Sequence, residues 1–150
     1  MCVVVFMAVV LVFIVNWKVF SIKKGYVCML IRFKKSYEKI AMGLLSFMPT
    51  EKELKKLQAT VKEYETNENW QLYLWKEDDD VLGIIGTMKK EGDVVQVQHI
   101  CVNPSHRHAG MGKKMVQELC SMMPGVTIYG NEHTAVFCEK CKDVSHQVSL

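Results

Sequence analysis

The sequence lacks a marked excess of charge of either sign. Its 150 residues include 19 lysine and arginine residues against 16 aspartate and glutamate residues, a formal net charge of +3. Nucleic-acid-binding domains typically concentrate basic residues on one face with aromatic residues between them, and no stretch of this chain shows that pattern. A nucleic-acid partner is therefore not expected. The charged fraction of 23% and the hydrophobic fraction of 49% instead describe a globular protein with room for one domain and one core.

The cysteines lack the arrangement of a disulfide framework. They are spread over predicted strands and helices, at Cys2, Cys28, Cys101, Cys120, Cys138 and Cys141. Several occupy positions that we expect to be buried, where a cysteine packs as a small hydrophobe in a reducing compartment. We therefore predict no disulfides and a cytoplasmic location.

The N-terminal segment, residues 1–28, lacks the features of a secretory signal. No basic residue precedes its apolar run, and no small-residue cleavage site follows it. Residues 1–15 are uniformly apolar but fall short of the ~20 residues that span a bilayer. The Lys-Lys-Gly at 23–25 can be encoded by a purine run shortly before Met29, as in a bacterial ribosome-binding site. We expect residues 1–28 to be an over-extended gene assignment and the domain to occupy 29–150. The alternative is a membrane anchor that faces the cytoplasm.

The remaining chain is organised around a predicted strand, a polar loop and a helix. The strand is rich in valine and stops at Pro104, which cannot donate a hydrogen bond to a sheet. The loop, Arg107-x-x-Gly110-x-Gly112, places backbone N–H groups at the start of the helix, where phosphate is favoured. The helix from Gly112 carries one apolar stripe, formed by Met115, Val116, Leu119 and Met123. This spacing predicts a phosphate-binding loop.

Two other phosphate-binding motifs lack residues that they would need here. A P-loop requires Gly-x-x-x-x-Gly-Lys-Ser/Thr, but Arg107 stands five positions before Gly112 and Lys114 replaces the serine or threonine. A dinucleotide-binding fingerprint requires three glycines after the first strand of a βαβ unit, and this loop has two. The pattern that fits residues 102–112 is Val-x-Pro-x-x-Arg-x-x-Gly-x-Gly.

The strand before the loop has an irregular apolar alternation. Val95 and Val97 share one face by the two-residue period of a strand, whereas Ile100 and Val102 fall on the opposite phase. One extra residue would restore the register, so we predict a β-bulge near Gln98 and His99. The alternative is a strand that is buried on both faces.

The other segments predict an α+β domain. Strands are expected at 30–33, 70–75, 81–88 and 126–129 in addition to the motif strand, and helical stripes at 40–48 and 54–64. Ser36 is expected to cap the first helix, and Thr50 and Glu53 to form a capping box before the second. The stripe of the second helix consists of Leu54, Leu57, Val61 and Tyr64. Strands two to four should form an antiparallel meander. The fifth should run parallel to the fourth because a helix crosses over between them.

Two clusters suggest metal ligands, but neither has the required pattern. The three aspartates at 78–80 lack the glycine and the distant glutamate of an EF-hand loop, and a hairpin turn accounts for them. Cys138-x-x-Cys141, with His133 and His146, lies within a predicted helix, whereas a structural zinc site needs four closely placed ligands. We predict no metal site.

Two segments resemble one enzyme family. The pattern at 102–112 resembles motif A of the GNAT acetyltransferases, and the segment from Asn131 to Lys140 resembles their motif B, an asparagine followed by Phe/Leu-Tyr-Glu-Lys. Residues 29–49 and 102–108 are also similar to the RibT-type acetyltransferases of Bacillus riboflavin operons. The resemblance implies the GNAT acyl-CoA acyltransferase fold, a mixed and mostly antiparallel central sheet flanked by helices. The short polar tail implies that the family's last two strands are truncated.

The resemblance also implies where the cofactor acetyl-CoA would bind. Arg107 and the loop amides would hold the pyrophosphate of coenzyme A, and Asn131 would contact the pantetheine end. The loop in question comprises His108, Ala109, Gly110, Met111, Gly112 and Lys113. The backbone of Ile100, Cys101 and Val102 would hold the pantetheine arm and the acetyl carbonyl.

The catalytic pair of the family is missing from its usual positions. Many members use a glutamate on the fourth strand and a tyrosine in motif B, where this chain has Gln98 and Cys138. Gln98 cannot accept a proton, so His99 is the candidate base and Cys138 the candidate proton donor to the thiolate. Two functions remain open: an N-acetyltransferase acting on a small amine or a protein lysine, and a coenzyme A-binding regulatory or partner subunit with little catalysis. A homodimer is a further expectation.

Overall fold

The computed structural model describes residues 27–142. Predictions made for residues 1–26 and for the tail beyond residue 142 lie outside this range. The α-helices and strands of the described part are β1 Cys28–Arg32, α1 Glu38–Leu45, α2 Leu54–Thr66, β2 Trp70–Glu77, β3 Asp80–Lys89, β4 Val94–Val102, α3 Met111–Met122, β5 Thr127–Gly130 and α4 Ala135–Lys142. Short 3-10 helices occupy Lys35–Tyr37, Pro49–Glu51 and Pro104–His106.

The strands form one sheet in the order β1-β2-β3-β4-β5. The first four pair antiparallel, and β5 pairs parallel to β4 after the crossover through α3. This confirms the predicted meander and the parallel fifth strand. The β2–β3 turn contains Asp78, whose φ of 51° lies in the left-handed region that aspartate tolerates. The aspartate run is therefore a hairpin tip, as predicted.

Helices cover both faces of the sheet, and a separate apolar cluster lies under each layer. One cluster joins α3 and α4 to the sheet through Met115, Val116, Leu119, Cys138, Val97 and Ile85. The other joins α1 and α2 to the opposite face through Leu44, Leu45, Leu57, Val61, Leu74 and Ile84. This mixed, mostly antiparallel sheet between helices is the predicted fold class.

The predicted N-caps of the first two helices are wrong. Ser36 lies within a 3-10 helix, so Tyr37 occupies the N-cap position of α1, and it makes no side-chain capping hydrogen bond. Another 3-10 helix takes Thr50, and Glu53 precedes α2 without capping it. The side chain of Glu51 turns inward instead and is 3% exposed. Leu54, the first residue of α2, is 63% exposed and is not part of the buried stripe.

Candidate functional site

The site forms where β4 departs from regular pairing. Gly86 pairs with His99 and Thr87 pairs with Val97, so Gln98 is an extra residue on β4. The face of the sheet on which alternate β4 side chains lie changes at this residue. Val97 and Ile100 both contact the α3 layer, whereas Cys101 belongs to the cluster under α1 and α2. The predicted β-bulge is confirmed, and its effect is to turn the His99 side chain towards α2.

The bulge also ends the pairing between β4 and β5. The two strands pair only as far as Val97 and Gly130. Just beyond, the Asn131 side-chain amide donates to Gln98 O at 3.1 Å, and the Thr134 hydroxyl donates to Val97 O at 2.7 Å. The β4 segment from Ile100 to Val102 therefore runs without a β5 partner, so its backbone groups can bind an extended ligand.

The loop after β4 is a short turn that leads into the start of α3. Asn103 caps the 3-10 turn by accepting from Ser105 N at 3.1 Å. His108 and Gly110 then adopt left-handed φ values of 72° and 70°. Lys114 N donates to Gly110 O at 3.1 Å as the first turn of α3 closes. The amides from Met111 to Lys113 precede that bond, and such N-terminal amides have no acceptor within their own helix. Together with the left-handed residues they form a concave anion site.

A cleft of about 570 Å³ begins at Ile100, directly after the bulge, and extends to this loop, and we call it the bulge cleft. Its walls comprise the apolar Phe47, Met48, Pro49, Ile100, Cys101, Val102, Met111 and Phe137, and the basic or loop residues His106, Arg107, His108, Gly110, Gly112 and Lys113. Arg107 is fixed at the cleft rim because its Nε donates to Val102 O at 3.3 Å and its guanidinium carbon lies 5.8 Å from the Phe47 ring centroid. The cleft is apolar at the bulge and basic at the loop.

Gly112 sets the width of the cleft at the start of α3. A Cβ atom at this position would lie 2.8 Å from Cζ of Phe137 on α4. A glycine therefore lets the Phe137 ring close one wall directly over the first turn of α3. Gly112 was predicted as a phosphate-loop glycine, and the structure gives it this packing role as well.

Most of the residues predicted to bind the cofactor line this one cleft. Ile100, Cys101, Val102, Arg107, His108, Gly110, Met111, Gly112 and Lys113 all do so. Ala109 and Asn131 are not among the lining residues. Asn131 instead holds the bulge and accepts from His133 N and Thr134 N at 2.9 and 3.1 Å through its side-chain oxygen.

The two candidate catalytic side chains occupy different surroundings. Cys138 is 0% exposed within the cluster under α3 and α4 and does not line the cleft. His99, 7% exposed, contacts two polar side chains. The Tyr64 hydroxyl lies 2.6 Å from its Nδ1, and Glu51 Oε1 lies 3.3 Å from its Nε2. We call these three side chains the Glu51–His99–Tyr64 array.

The sequence did not single out Glu51 or Tyr64. Glu51 lies between the two residues of the predicted capping box, and Tyr64 is one member of the predicted apolar stripe. A buried tyrosine hydroxyl normally has a hydrogen-bond partner, so the polar end of Tyr64 within that stripe was the available signal.

Burial shifts the pKa values of His99, Tyr64 and Cys101 towards their neutral forms. Desolvation lowers the pKa of His99 below its ordinary value, and the negative charge of Glu51 opposes this only in part. Desolvation, together with the Glu51 charge, holds the pKa of Tyr64 well above its ordinary value. Desolvation raises the pKa of Cys101 to about 12. His99 is therefore a neutral imidazole at pH 7.

Two kinds of feature are absent from residues 27–142. No helix in this range is long and apolar enough to cross a membrane. Nor does the described part contain a group of three or more histidine, cysteine, aspartate or glutamate side chains placed to hold a metal ion. In the same range Cys28, Cys101 and Cys141 are free thiols.

Comparison with known proteins gives consistent matches. The Acetyltransferase (GNAT) family profile matches residues 39–142. An uncharacterized N-acetyltransferase encoded in the lysA 3' region of Bacillus methanolicus is 58% identical over 114 residues, which cover 76% of this chain and 95% of the relative. An aminoglycoside 6'-N-acetyltransferase complexed with coenzyme A superposes with a TM-score of 0.61 at 18% identity, over 75% of this chain and 83% of the other. A Bacillus subtilis acetyltransferase in complex with CoA has a TM-score of 0.56 at 20% identity, over 77% and 75%.

Proposed function

Because this chain belongs to the acetyltransferase (GNAT) family, we propose that it transfers the acetyl group of acetyl-CoA to an amine by direct attack in a ternary complex. The amine is a small molecule or a protein lysine. The observation that carries this proposal is the bulge cleft, which joins an unpaired stretch of β4 to the anion site at the start of α3.

The residues of the bulge cleft match the chemistry of coenzyme A. Arg107 and the amides from His108 to Lys113 would hold the pyrophosphate, because cationic side chains and free helix-start amides both favour phosphate. The apolar walls, including Met48 and Phe137, would enclose the pantetheine arm. The backbone of Ile100 to Val102 would take the place of a strand partner. Bound acetyl-CoA supplies the activated acetyl group.

Transfer to an amine requires a group that accepts the proton of the nitrogen. His99 is at the bulge, and because its pKa is lowered its neutral imidazole is available at pH 7 to accept a proton. Cys138 was the other candidate, as donor to the leaving thiolate. Its complete burial away from the cleft argues against that role, and we propose instead that the thiolate takes its proton from solvent.

A second function is supported by one specific observation. The side chains that line the bulge cleft include no carboxylate, and His99 is almost fully buried. A chain that binds coenzyme A but transfers little, as a regulatory or partner subunit, would need no more than this. The two functions make different predictions for turnover.

The cofactor site is tested by thermal unfolding of the full chain with and without acetyl-CoA. A ligand at 100 times its Kd adds ~2.7 kcal/mol, which raises Tm by roughly 5–10 °C for a domain of this size. Arg107→Glu should abolish this rise because it replaces a phosphate-binding cation by an anion. Lys62→Glu, the same charge reversal on the exposed face of α2, should keep it. Equal Tm rises in both variants would contradict the proposed site.

Turnover separates the two functions. Acetyl-CoA consumption is measured across a panel of small amines and lysine peptides, with mass spectrometry of the product. An acetylated amine supports the enzyme, whereas a Tm rise without any acetylated product supports the binding protein. The cytoplasmic location, the homodimer and a riboflavin link belong to this proposal. The riboflavin link rests on the RibT-type resemblance of residues 29–49 and 102–108, and that resemblance names no acceptor.

A further inference from the structure

The Glu51–His99–Tyr64 array lies beneath the bulge and is almost closed to solvent. Glu51 is 3%, Tyr64 6% and His99 7% exposed. Its hydrogen bonds continue at the Glu51 end, where the Thr60 hydroxyl donates to Oε2 at 2.7 Å and Lys56 Nζ lies 3.9 Å from Oε1. Three separate segments thus supply one continuous hydrogen-bond network inside an otherwise apolar layer.

Hydrogen-bond chemistry determines which atom donates and which accepts in each hydrogen bond of the array. An ionised carboxylate can only accept, so the His99 Nε2 must carry the proton that it donates to Glu51. A neutral imidazole then has a bare Nδ1, which accepts from the Tyr64 hydroxyl at 2.6 Å. The array therefore runs Tyr64 O–H to His99 Nδ1, and His99 Nε2–H to Glu51.

This arrangement leaves no position at His99 for a substrate amine. Both ring nitrogens are already bonded, one to Tyr64 and one to Glu51. A proton that reaches the imidazole must come through one of those two side chains. Glu51 faces Thr60 and Lys56, whereas Tyr64 also lines a second cleft.

That second cleft, of about 490 Å³, lies between the end of β1, the end of α2 and the start of β2, and we call it the polar cleft. It is lined by Arg32, Phe33, Lys34, Lys35, Tyr64, Glu65, Thr66, Asn67, Glu68, Trp70, Gln71 and Leu72. The Tyr64 ring meets Trp70, another residue of the cleft wall, edge-on at 5.1 Å between centroids, and it meets the His99 ring at 5.7 Å. Tyr64 is the member of the array that a substrate entering the polar cleft would meet.

We propose that Tyr64 is the outer end of a proton relay and that the acceptor amine reaches it from the polar cleft. This rests on the acetyl transfer proposed above. As the amine nitrogen bonds to the acetyl carbon, its proton passes to the Tyr64 oxygen and the Tyr64 proton passes to His99 Nδ1. The bond between the acetyl carbon and sulfur then breaks, and coenzyme A leaves as a thiolate that takes up one proton from solvent. Tyr64 is neutral before and after. The imidazolium is paired with Glu51 until its proton returns through Tyr64 to solvent, which restores the neutral His99.

Three charged or titratable side chains, Glu51, Lys56 and His133, influence the protonation of His99. Glu51 favours the protonated ring, and Lys56 and His133 disfavour it. Tyr64 and Thr60 contribute uncharged hydroxyls from α2, and Gly86 on β3 adds no side chain. Glu51 is therefore the one anion near the ring among these groups, and in the relay it is a positioning residue that acts through His99.

Tyr64→Phe tests the outer end of the relay, with Tyr73→Phe as the matched control in β2. Loss of a proton-transfer group typically costs ~10²- to 10⁴-fold in rate. We expect kcat for amine acetylation to fall by about 10²-fold or more in Tyr64→Phe. The KM for acetyl-CoA and the Tm rise with acetyl-CoA should stay at wild-type values. Tyr73→Phe should match wild type in all of these. Equal kcat in the two variants would overturn the relay.

Glu51→Gln tests the inner end through the pH profile. The glutamine oxygen can still accept from His99 Nε2, but its side chain is uncharged and cannot stabilise the imidazolium. The midpoint of the acid limb of kcat should therefore move to lower pH, together with a loss of rate, and Glu51→Asp should restore part of both. Glu63→Gln, on the same helix as Tyr64, should leave the profile unchanged. A loss of rate without movement of the midpoint would mean that Glu51 only supports the fold.

Nitrogen NMR of His99 in the wild-type chain provides a readout that does not depend on turnover. The relay requires the Nε2–H tautomer at pH 7, and an Nδ1–H signal would overturn it. A chain that gives the expected NMR signals and binds acetyl-CoA but acetylates no amine would overturn the proposed function, and the relay with it. An active chain with an unaffected Tyr64→Phe variant would overturn the relay alone.

Discussion

Replacement of Gly86 by alanine should disconnect the Glu51–His99–Tyr64 array without altering any of its members. Gly86 lies opposite His99 in the β3–β4 pairing. A Cβ atom at Gly86 would overlap the hydroxyl and Cζ of Tyr64. That ring cannot simply rotate away, because it is buried between Trp70 and His99. The substitution should therefore push the Tyr64 hydroxyl off Nδ1.

These contacts determine how much unfolding free energy Gly86→Ala should lose. Overpacking of a tight site costs ~1–3 kcal/mol, and leaving a buried polar group without its partner costs a further ~1–3 kcal/mol. Because one movement of Tyr64 causes both losses, we expect about 2–4 kcal/mol rather than their full sum. For a domain of this length that corresponds to a fall in Tm of roughly 5–15 °C.

Gly43→Ala is the matched control, measured by the same urea and thermal unfolding. Gly43 lies within α1, and a Cβ atom there would meet nothing within 4 Å. Alanine in a helix interior is favoured over glycine by up to ~1 kcal/mol, so this variant should be slightly stabilised. In the Tyr64→Phe background, the loss of unfolding free energy caused by Gly86→Ala should be smaller by at least ~0.5 kcal/mol. The reason is that the Tyr64 hydroxyl oxygen, the atom closest to the added Cβ, is absent. If Gly86→Ala is as stable as Gly43→Ala, the packing argument is refuted.

Two further predictions concern titration. His99 has a folded pKa below its unfolded value of about 6.5, so its contribution to the free energy of unfolding is complete above that pH and is lost as the pH falls towards the folded pKa. His99→Gln should weaken the dependence of the free energy of unfolding on pH just below pH 6.5, measured by urea unfolding at a series of pH values. An unchanged dependence would contradict a lowered pKa for His99. Cys101, with a pKa of about 12, holds only ~10⁻⁴ thiolate at pH 8, so peptide mass spectrometry should find iodoacetamide on the exposed Cys120 long before Cys101. Similar labelling rates would contradict the burial of Cys101.

The residues that could be predicted from the sequence act through short-range rules. The loop at 102–112 was recognisable because a phosphate-binding turn needs its arginine and glycines at fixed spacing along one stretch of chain. The bulge near Gln98 followed from the two-residue period of a strand, because a single extra residue exchanges the faces of the residues after it. The parallel pairing of β5 followed from the crossover helix.

The sequence was less informative about helix caps. Ser36 and Thr50 are residue types that commonly cap helices, but both lie within 3-10 helices in the structure. A local preference of ~1 kcal/mol is small compared with the packing of the whole layer against the sheet. Leu54 also departs from the prediction: the helical period assigns it to the buried stripe, but it is 63% exposed at the start of α2.

The sequence by itself determined the strand, the bulge and the phosphate-binding loop, because each depends on residues that are neighbours along the chain. Tertiary structure alone decided the surroundings of His99. Tyr64 and Glu51 are 35 and 48 residues away from it in sequence, and no spacing rule relates the three. They meet because α2 packs over the bulge, where Gly86 leaves room for a hydroxyl. The neutrality of His99 follows from that packing, since burial rather than residue type lowers its pKa.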